Sequence, residues 1–193
     1  MALTNPVSFM IERGSYLQLR GANGIGKSTF LRQCAGLLPF EGGTMTLKEA
    51  GNEASYNPAQ DRLSLKAIYL GHRDGLHGDL TGLENLSLLC GDIPDEALSN
   101  ELYTRQVARY SAGQRQRLNL LTLSDEADLW LLDEPSSNLD DENLQNLEAK
   151  IISFINKGGI VIAATHSDIA QDYVTHHITL EKATSQTAWE NSL

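Results

Sequence analysis

A run of nine residues has the composition and spacing of a loop that binds phosphate. It fits the pattern G-x-x-x-x-G-K-[ST] and consists of Gly21, Ala22, Asn23, Gly24, Ile25, Gly26, Lys27, Ser28 and Thr29. Such a loop needs glycines because its backbone N–H groups turn inward and approach the phosphates closely. We expect Lys27 to reach the β- and γ-phosphates of a nucleotide, and the Ser28 hydroxyl to bind Mg²⁺.

The residues on either side of the loop provide the setting that this chemistry requires. Residues 16–20 alternate as in a β-strand, and residues 28–37 carry apolar side chains at helical spacing. A helix that starts at the loop directs its positive N-terminus at the phosphates. A glycine-rich turn without a ligand is the alternative, and the strand–loop–helix context disfavours it.

Two carboxylates follow an apolar run at 129–132, which predicts a buried strand. Asp133 and Glu134 then lie at the carboxyl end of that strand, where α/β proteins bind ligands. We expect Asp133 to hold Mg²⁺ through a water, beside the Ser28 hydroxyl, and Glu134 to accept a proton from an attacking water. A solvated strand end with two acids is the alternative when the pair is considered alone.

A histidine follows the next apolar strand, at 160–164. In a parallel sheet His166 would therefore lie near Glu134. A neutral imidazole there can hydrogen-bond both the γ-phosphate and the attacking water. A histidine at a strand end is more often structural, and only the surrounding motifs favour the catalytic reading.

A second anion-binding helix start is predicted at Ser111, Ala112, Gly113 and Gln114. Serine followed three residues later by glutamine is a capping box, and it leaves the helix dipole and free N–H groups available to an anion. In isolation the segment would be only a cap. Its position shortly before the Asp-Glu strand favours the functional interpretation.

Strands and helices alternate along the chain, which indicates one α/β domain over residues 1–193 with a parallel sheet covered on both faces. Further strands are predicted at 7–11, 44–47 and 67–70, and further helices at 81–90, 111–124 and about 144–157. Residues 49–64 are polar and predict a surface excursion. Residues 92–107 predict a mixed, mostly helical insert, and the tail from Lys182 is polar.

Composition excludes some partners. Among the 193 residues, 25 are Asp or Glu and 15 are Lys or Arg, for a net charge of −10, which argues against nucleic acid as a partner. Cys34 and Cys90 are expected to be buried, reduced thiols rather than a disulfide. The chain lacks an apolar run of 18 residues and a signal-peptide pattern at its start, so we expect a cytosolic protein.

Over nearly its whole length the chain resembles the ATP-binding-cassette ATPases. Residues 110–114 are similar to their signature motif, 131–135 to their Walker B motif and 137–140 to their D-loop, and His166 is at the position of their switch histidine. The resemblance implies a P-loop NTPase fold: a mostly parallel sheet flanked by helices, a small antiparallel β subdomain, and a helical subdomain at about 73–109. It also implies ATP and Mg²⁺ as cofactors.

Within that family the chain resembles the haem-exporter ATP-binding subunit of cytochrome c maturation. Residues 69–76 and 80–86 carry this likeness, together with the Ser-Ala-Gly-Gln form of the signature. It implies an integral membrane permease as partner and a peripheral location on the inner face of the cell membrane. It further implies a homodimer on ATP binding, in which Ser111, Gly113 and Gln114 face the other chain's phosphate loop.

Two other functions stay open at this point. One is the ATPase subunit of another small exporter, such as a lipoprotein-release system, and the other is a soluble nucleotide switch. The switch reading expects tandem cassettes or a basic face, neither of which this sequence shows. A GTPase is disfavoured because no Asn/Thr-Lys-x-Asp segment occurs.

Three departures from the family pattern stand out. His72 takes the place of the Q-loop glutamine, and the insert between His72 and Tyr110 is short. We also expect the strand that carries the adenine-stacking aromatic to be absent. Phe9 lies too close to the phosphate-loop strand to replace that aromatic.

Overall fold

The computed structural model of the protein describes residues 4–40, 42–43, 45–49, 52–56, 66–71, 75–91, 93–137 and 139–183. His72 and Asn138 lie outside the described residues, as do the tail from residue 184 and most of the predicted excursion at 49–64.

One five-stranded sheet forms the centre of the fold. Its strands are β1 (Tyr16–Gly21), β4 (Ala67–Leu70), β5 (Leu129–Asp133), β6 (Ile160–Ala164) and β7 (His176–Leu180). They lie in the order β4-β5-β6-β1-β7, and all four neighbouring pairs are parallel. β5 is buried along its whole length because helices cover both faces of the sheet. The predicted parallel sheet flanked by helices is confirmed.

Alternate residues of these strands supply two separate apolar layers, as the pleat of a strand requires. One layer packs α5 (Asp141–Asn156) on the sheet through Tyr16, Trp130, Leu132, Leu147, Ile151, Phe154 and Val161. The other packs α1 (Lys27–Cys34) on the opposite face through Leu17, Leu19, Leu31, Cys34, Leu131 and Ile162. The rings of Trp130 and Phe154 stack, with centroids 3.9 Å apart and planes within 2°. This packing holds the carboxyl ends of the strands in place.

The helical insert has its own apolar core. It contains α2 (Gly82–Cys90), α3 (Asp95–Leu98) and 3₁₀ turns at Glu101–Thr104 and Val107–Arg109, and it leads into α4 (Ala112–Leu121). The capping box predicted at Thr81 is present: the Glu84 N–H donates to Thr81 Oγ1 at 3.2 Å, and the Thr81 N–H donates to Glu84 Oε2 at 2.7 Å. The core consists of Leu76, Leu86, Ala97, Tyr103, Val107, Tyr110 and Leu118. The helical subdomain therefore joins the sheet-bearing part through α4.

The predicted strand at 7–11 is wrong, because these residues are irregular. Pairing occurs slightly earlier instead, where Asn5 N–H donates to the Glu181 carbonyl at 3.0 Å and Thr4 bridges Lys182. An alternation of apolar residues forms a strand only where a partner strand is in reach.

The strand predicted at 44–47 is present as β2 (Met45–Glu49), but two other strands, β3 (Asn52–Tyr56) and β7, were not predicted. β3 pairs antiparallel with β2, which confirms the small antiparallel β subdomain and corrects the irregular excursion predicted from residue 49. β7 lies at the edge of the main sheet beside β1. Backbone hydrogen bonds define both strands, and a polar sequence does not reveal them.

Two helices end earlier than predicted. α4 ends at Leu121 rather than near Ser124, and α1 ends at Cys34 rather than at Leu37. Gly36 adopts a φ of +70°, and the Leu37 N–H donates to the Arg32 carbonyl at 2.8 Å. A left-handed glycine with this hydrogen bond terminates a helix.

Candidate nucleotide site

The phosphate loop runs from the end of β1 to the start of α1, as predicted. Its glycines have backbone angles that other residues rarely adopt: φ is +146° at Gly21, +77° at Gly24 and +115° at Gly26. At Gly21 space is decisive as well, because a Cβ would lie 2.8 Å from the Leu180 carbonyl oxygen. The loop therefore needs glycine in order to pass β7 and turn into α1.

The side chain of Lys27 folds back over the loop. Its Nζ donates to the Gly21 carbonyl at 2.8 Å, lies 3.5 Å from the Ala22 carbonyl, and lies 3.2 Å from His166 Nε2. Lys27 is only 8% exposed, although it carries a charge. Its ammonium is thus held inside the curve of the loop, where an anionic ligand would be neutralised.

His166 lies between the phosphate loop and the end of β5. Its Nε2 is 3.1 Å from Asn23 Oδ1 and 3.5 Å from Glu134 Oε1. The register of β5 and β6 explains this proximity, since Asp133 pairs with Ala164 and the segments that follow the two strands leave the sheet side by side. Lys27, Asn23, Glu134 and His166 therefore form one cluster, which includes the three residues predicted to be catalytic.

The backbone at Glu134 is unusual. Its φ is +50°, in the left-handed region that a residue with a side chain seldom occupies. Three hydrogen bonds hold this conformation: Glu134 N–H donates to the Ala164 carbonyl at 2.8 Å, and the Ser137 N–H and hydroxyl donate to the Glu134 carbonyl at 3.1 and 2.8 Å. Such conformations persist where the surroundings enforce them, and they are frequent at functional sites.

Asp133 is the innermost acidic group of the site, at 4% exposure. Its Oδ2 accepts a hydrogen bond from the Tyr69 hydroxyl at 3.3 Å, and Tyr69 in turn accepts one from Arg32 Nε at 3.2 Å. Burial raises the pKa of the Tyr69 phenol, and the hydrogen bond to Tyr69 raises that of Arg32. Sequence reasoning did not assign Tyr69 or Arg32 to the site. The available signal was that Arg32 follows Ser28 by four residues and so shares its face of α1.

The second predicted anion site begins α4. Ser111 Oγ accepts from the Gln114 N–H at 3.2 Å, and Gln114 Oε1 accepts from the Ser111 N–H at 2.9 Å. The capping box is therefore confirmed. Ser111 is exposed and Gly113 and Gln114 are half-buried, so the segment presents its helix start to the surface.

Three contacts tie this helix and the D-loop to the strand ends. Gln116 Nε2 donates to the Pro135 carbonyl at 2.9 Å, and Ser136 Oγ donates to Ser167 Oγ at 3.0 Å. Arg117 pairs with Asp140 at 3.2 Å. Asp140 also caps α5, because its carboxylate accepts a hydrogen bond from the Asn143 N–H at 3.0 Å. This bond, and to a lesser extent a second one from the Asn143 side chain, lowers the pKa of Asp140. The segment that follows Glu134 is thus anchored to α4 and to the residue after His166.

The fold and this site define a nucleotide-binding cassette, and comparison with known proteins identifies its family. The ABC transporter family matches residues 4–137. The chain belongs to that family and is an ATP-binding subunit that hydrolyses ATP. Within the described residues, no helix is long and apolar enough to cross a membrane, and no three His, Cys, Asp or Glu side chains gather as a metal site.

Several relatives within this family are ATP-binding export proteins of cytochrome c biogenesis. The chain is 39% identical to the cytochrome c biogenesis ATP-binding export protein CcmA of Xanthomonas campestris pv. campestris, over 92% of this chain and 86% of that protein. Against the protein of the same name from Vibrio cholerae the identity is 36%, over 88% and 86%.

Solved structures show the same fold at lower identity. An ATP-binding subunit of an ABC transporter has a TM-score of 0.76 at 23% identity, over 93% of this chain and 80% of that one. An ATP-binding cassette solved as a dimer, in a post-hydrolysis state bound to ADP and Pi, has a TM-score of 0.75 at 21% identity, over 93% and 86%.

Proposed function

We propose that this protein is the ATP-hydrolysing subunit of an export complex that acts on haem in cytochrome c biogenesis. The observation that carries the proposal is 39% identity with an ATP-binding export protein of cytochrome c biogenesis across 92% of the chain. Of the segments 69–76 and 80–86, which suggested this subfamily from sequence, the first begins in the last residues of β4 and the second leads into α2.

In this proposal Lys27 and the loop N–H groups hold the phosphates of ATP. Glu134 accepts a proton from the attacking water, and His166 orients that water. Glu134 Oε1 and His166 Nε2 are 3.5 Å apart, so one water can contact both side chains. A carboxylate that accepts the water's proton and an imidazole that orients it are suited to phosphoryl transfer, where positioning and charge stabilisation supply most of the catalysis.

The residues present fit Mg²⁺. Ser28 lies in the first turn of α1, and the buried Asp133 carboxylate accepts its hydrogen bond from Tyr69 at Oδ2, so Oδ1 is left for the cation. Mg²⁺ needs few protein ligands because it retains several waters and binds substrate phosphates. When bound, the ion would neutralise charge on the phosphates. Ser28 and Asp133 would hold it.

We also propose a homodimer that forms on ATP and docks on an integral membrane permease, at the inner face of the cell membrane. The exposed start of α4 supports the dimer. Ser111, Gly113 and Gln114 can bind the ATP of a second chain, and the two capping-box hydrogen bonds between Ser111 and Gln114 stay inside the segment. The net charge of −10 disfavours nucleic acid as a further partner.

A deletion strain tests the biological part. Deleting the gene should abolish mature c-type cytochromes in a haem-stained gel and leave b-type cytochromes intact, and the wild-type gene should restore them. A gene carrying Glu134→Gln should not restore them. Normal c-type cytochromes in the deletion strain would rule out the haem assignment without affecting the ATPase activity.

A further inference from the structure

A hydrogen-bonded chain of three side chains ends on the carboxylate of Asp133. Arg32 Nε donates to the Tyr69 hydroxyl at 3.2 Å, and that hydroxyl lies 3.3 Å from Asp133 Oδ2. The Arg32 guanidinium also lies 6.0 Å from the centre of the Tyr69 ring. The three residues come from α1, β4 and β5, so the chain connects three elements at the edge of the nucleotide site.

The chemistry of these groups determines the direction of both hydrogen bonds. A guanidinium can only donate, and an ionised carboxylate can only accept. The Tyr69 hydroxyl must therefore accept from Arg32 and donate to Asp133. Arg32 thus orients the phenolic proton, and that proton holds Oδ2 of the carboxylate.

The fold places Tyr69 for this contact. β4 pairs in parallel with β5, with Tyr69 beside Leu131, so the long phenol reaches the strand end where Asp133 lies. Gly71 leaves the space for the ring, since a Cβ there would lie 2.8 Å from Tyr69 Cε1. Arg32 reaches the same hydroxyl from one helical turn beyond Ser28.

We infer that Tyr69 is a positioning residue, which holds Oδ2 of Asp133 so that Oδ1 is presented to the divalent cation. The inference rests on the Mg²⁺ site proposed above. An aspartate carboxylate can turn about two bonds and so has several orientations, and the Tyr69 hydroxyl selects one before the cation arrives. Loss of such a supporting partner costs about 10- to 100-fold in metal affinity. At 3.3 Å the bond is long for a hydroxyl donor, so we expect the lower end, about tenfold.

Tyr69→Phe tests this, because it removes one oxygen and keeps the ring. The affinity for the non-hydrolysable ATP analogue with a β,γ-imido bridge is measured in excess Mg²⁺ and again in EDTA. The ratio of the affinity in Mg²⁺ to the affinity in EDTA measures how strongly the protein binds the cation. We expect the variant to lower this ratio about tenfold and to leave the affinity in EDTA unchanged. The Mg²⁺ concentration for half-maximal ATP hydrolysis should rise correspondingly.

Two further variants complete the test. Arg32→Gln keeps Tyr69 but loses the charged donor, and should shift the ratio in the same direction by a smaller factor. Tyr103→Phe removes the hydroxyl of a tyrosine in the core of the helical insert and should leave the ratio unchanged. It is the matched control for loss of a phenol.

The outcomes separate the two proposals. If Mg²⁺ does not strengthen binding to the wild-type protein, the Mg²⁺ site fails and the role of Tyr69 fails with it. If Mg²⁺ strengthens wild-type binding and Tyr69→Phe keeps the same ratio, the positioning role alone is overturned. If the Tyr69→Phe protein melts well below the wild type, the Arg32→Gln variant is used to test the positioning role instead. An unchanged affinity ratio in Arg32→Gln would then overturn the inference.

Discussion

Lys27 Nζ and His166 Nε2 lie 3.2 Å apart, although 139 residues separate them in the chain. The same imidazole nitrogen is near two acceptors, Asn23 Oδ1 and Glu134 Oε1. A lysine ammonium can only donate, so His166 Nε2 accepts from Lys27 when that nitrogen carries no proton, and donates to Asn23 or Glu134 when it carries one. The same imidazole nitrogen can therefore contact both the phosphate-binding lysine and the proposed base.

Replacing Glu134 with glutamine should separate binding from turnover. Glu134→Gln keeps the side-chain shape but removes the proton acceptor, so we expect ATP affinity within about twofold of wild type and turnover reduced about 100- to 10,000-fold. Lys27→Ala is the contrasting variant, and should lose ATP binding itself. Nucleotide titration and phosphate release measure the two properties. Hydrolysis at the wild-type rate by Glu134→Gln would refute the role given to this residue.

Shared sites can be tested by mixing two inactive variants. Lys27→Ala damages the phosphate loop, and Ser111→Arg damages the opposite helix start. If each site combines the loop of one chain with the signature of the other, both homodimers have two defective sites, whereas a mixed dimer has one intact site. Mixing should therefore restore part of the ATPase activity.

Covalent linkage of the two variant chains removes the need for subunit exchange. A linked pair with no more activity than either variant alone would argue against sites shared between chains. A linked pair of two Lys27→Ala chains is the control, and should stay inactive.

The two cysteines should differ in reactivity. Both are free thiols, as the sequence predicted, but only Cys34 is buried, whereas Cys90 is half-buried. Burial raises the pKa of Cys34 to about 12. At pH 9 its thiolate fraction is ~10⁻³, and the thiolate is the reactive form. We expect alkylation at pH 9 to modify Cys90 first and Cys34 only after unfolding, as read by peptide mass mapping. Rapid modification of Cys34 in the native protein would contradict this.

The same shift has a consequence for stability at alkaline pH. The unfolded Cys34 thiol ionises from its ordinary pKa of 9.0, whereas the folded thiol stays neutral until about 12. Its contribution to the free energy of unfolding is therefore complete below pH 9 and is lost as the pH rises toward 12. A Cys34→Ala variant lacks this group and should show a shallower loss of stability over that range.

The stack of Trp130 on Phe154 should be important for stability. Phe154 is 1% exposed and Trp130 fully buried, so Phe154→Ala leaves a cavity on the α5 side of the sheet. We expect a loss of about 3–5 kcal/mol in the free energy of unfolding by urea. Leu88→Ala, at a side chain that is 61% exposed, should change it by less than about 0.5 kcal/mol. Equal effects of the two substitutions would show that the stack contributes little.

Short-range interactions explain what could be predicted from the sequence alone. The phosphate loop and the capping boxes at Thr81 and Ser111 involve residues within a few positions of each other, so composition and spacing already specify them. The fully apolar strands at 129–132 and 160–164 likewise indicated a sheet covered on both faces, and with it the meeting of Glu134 and His166 at one edge.

Only the tertiary structure decided which distant groups complete the site. Tyr69 is one aromatic residue in an apolar strand, and Arg32 is one basic residue on a helix, so neither pattern indicates a contact with Asp133. That contact arises because β4 lies beside β5 while α1 packs across the same strands. β7 and β3 were missed for a related reason: a strand at an edge or in a hairpin is held by backbone hydrogen bonds to its neighbour, and those depend on where the neighbour lies rather than on which side chains the strand carries.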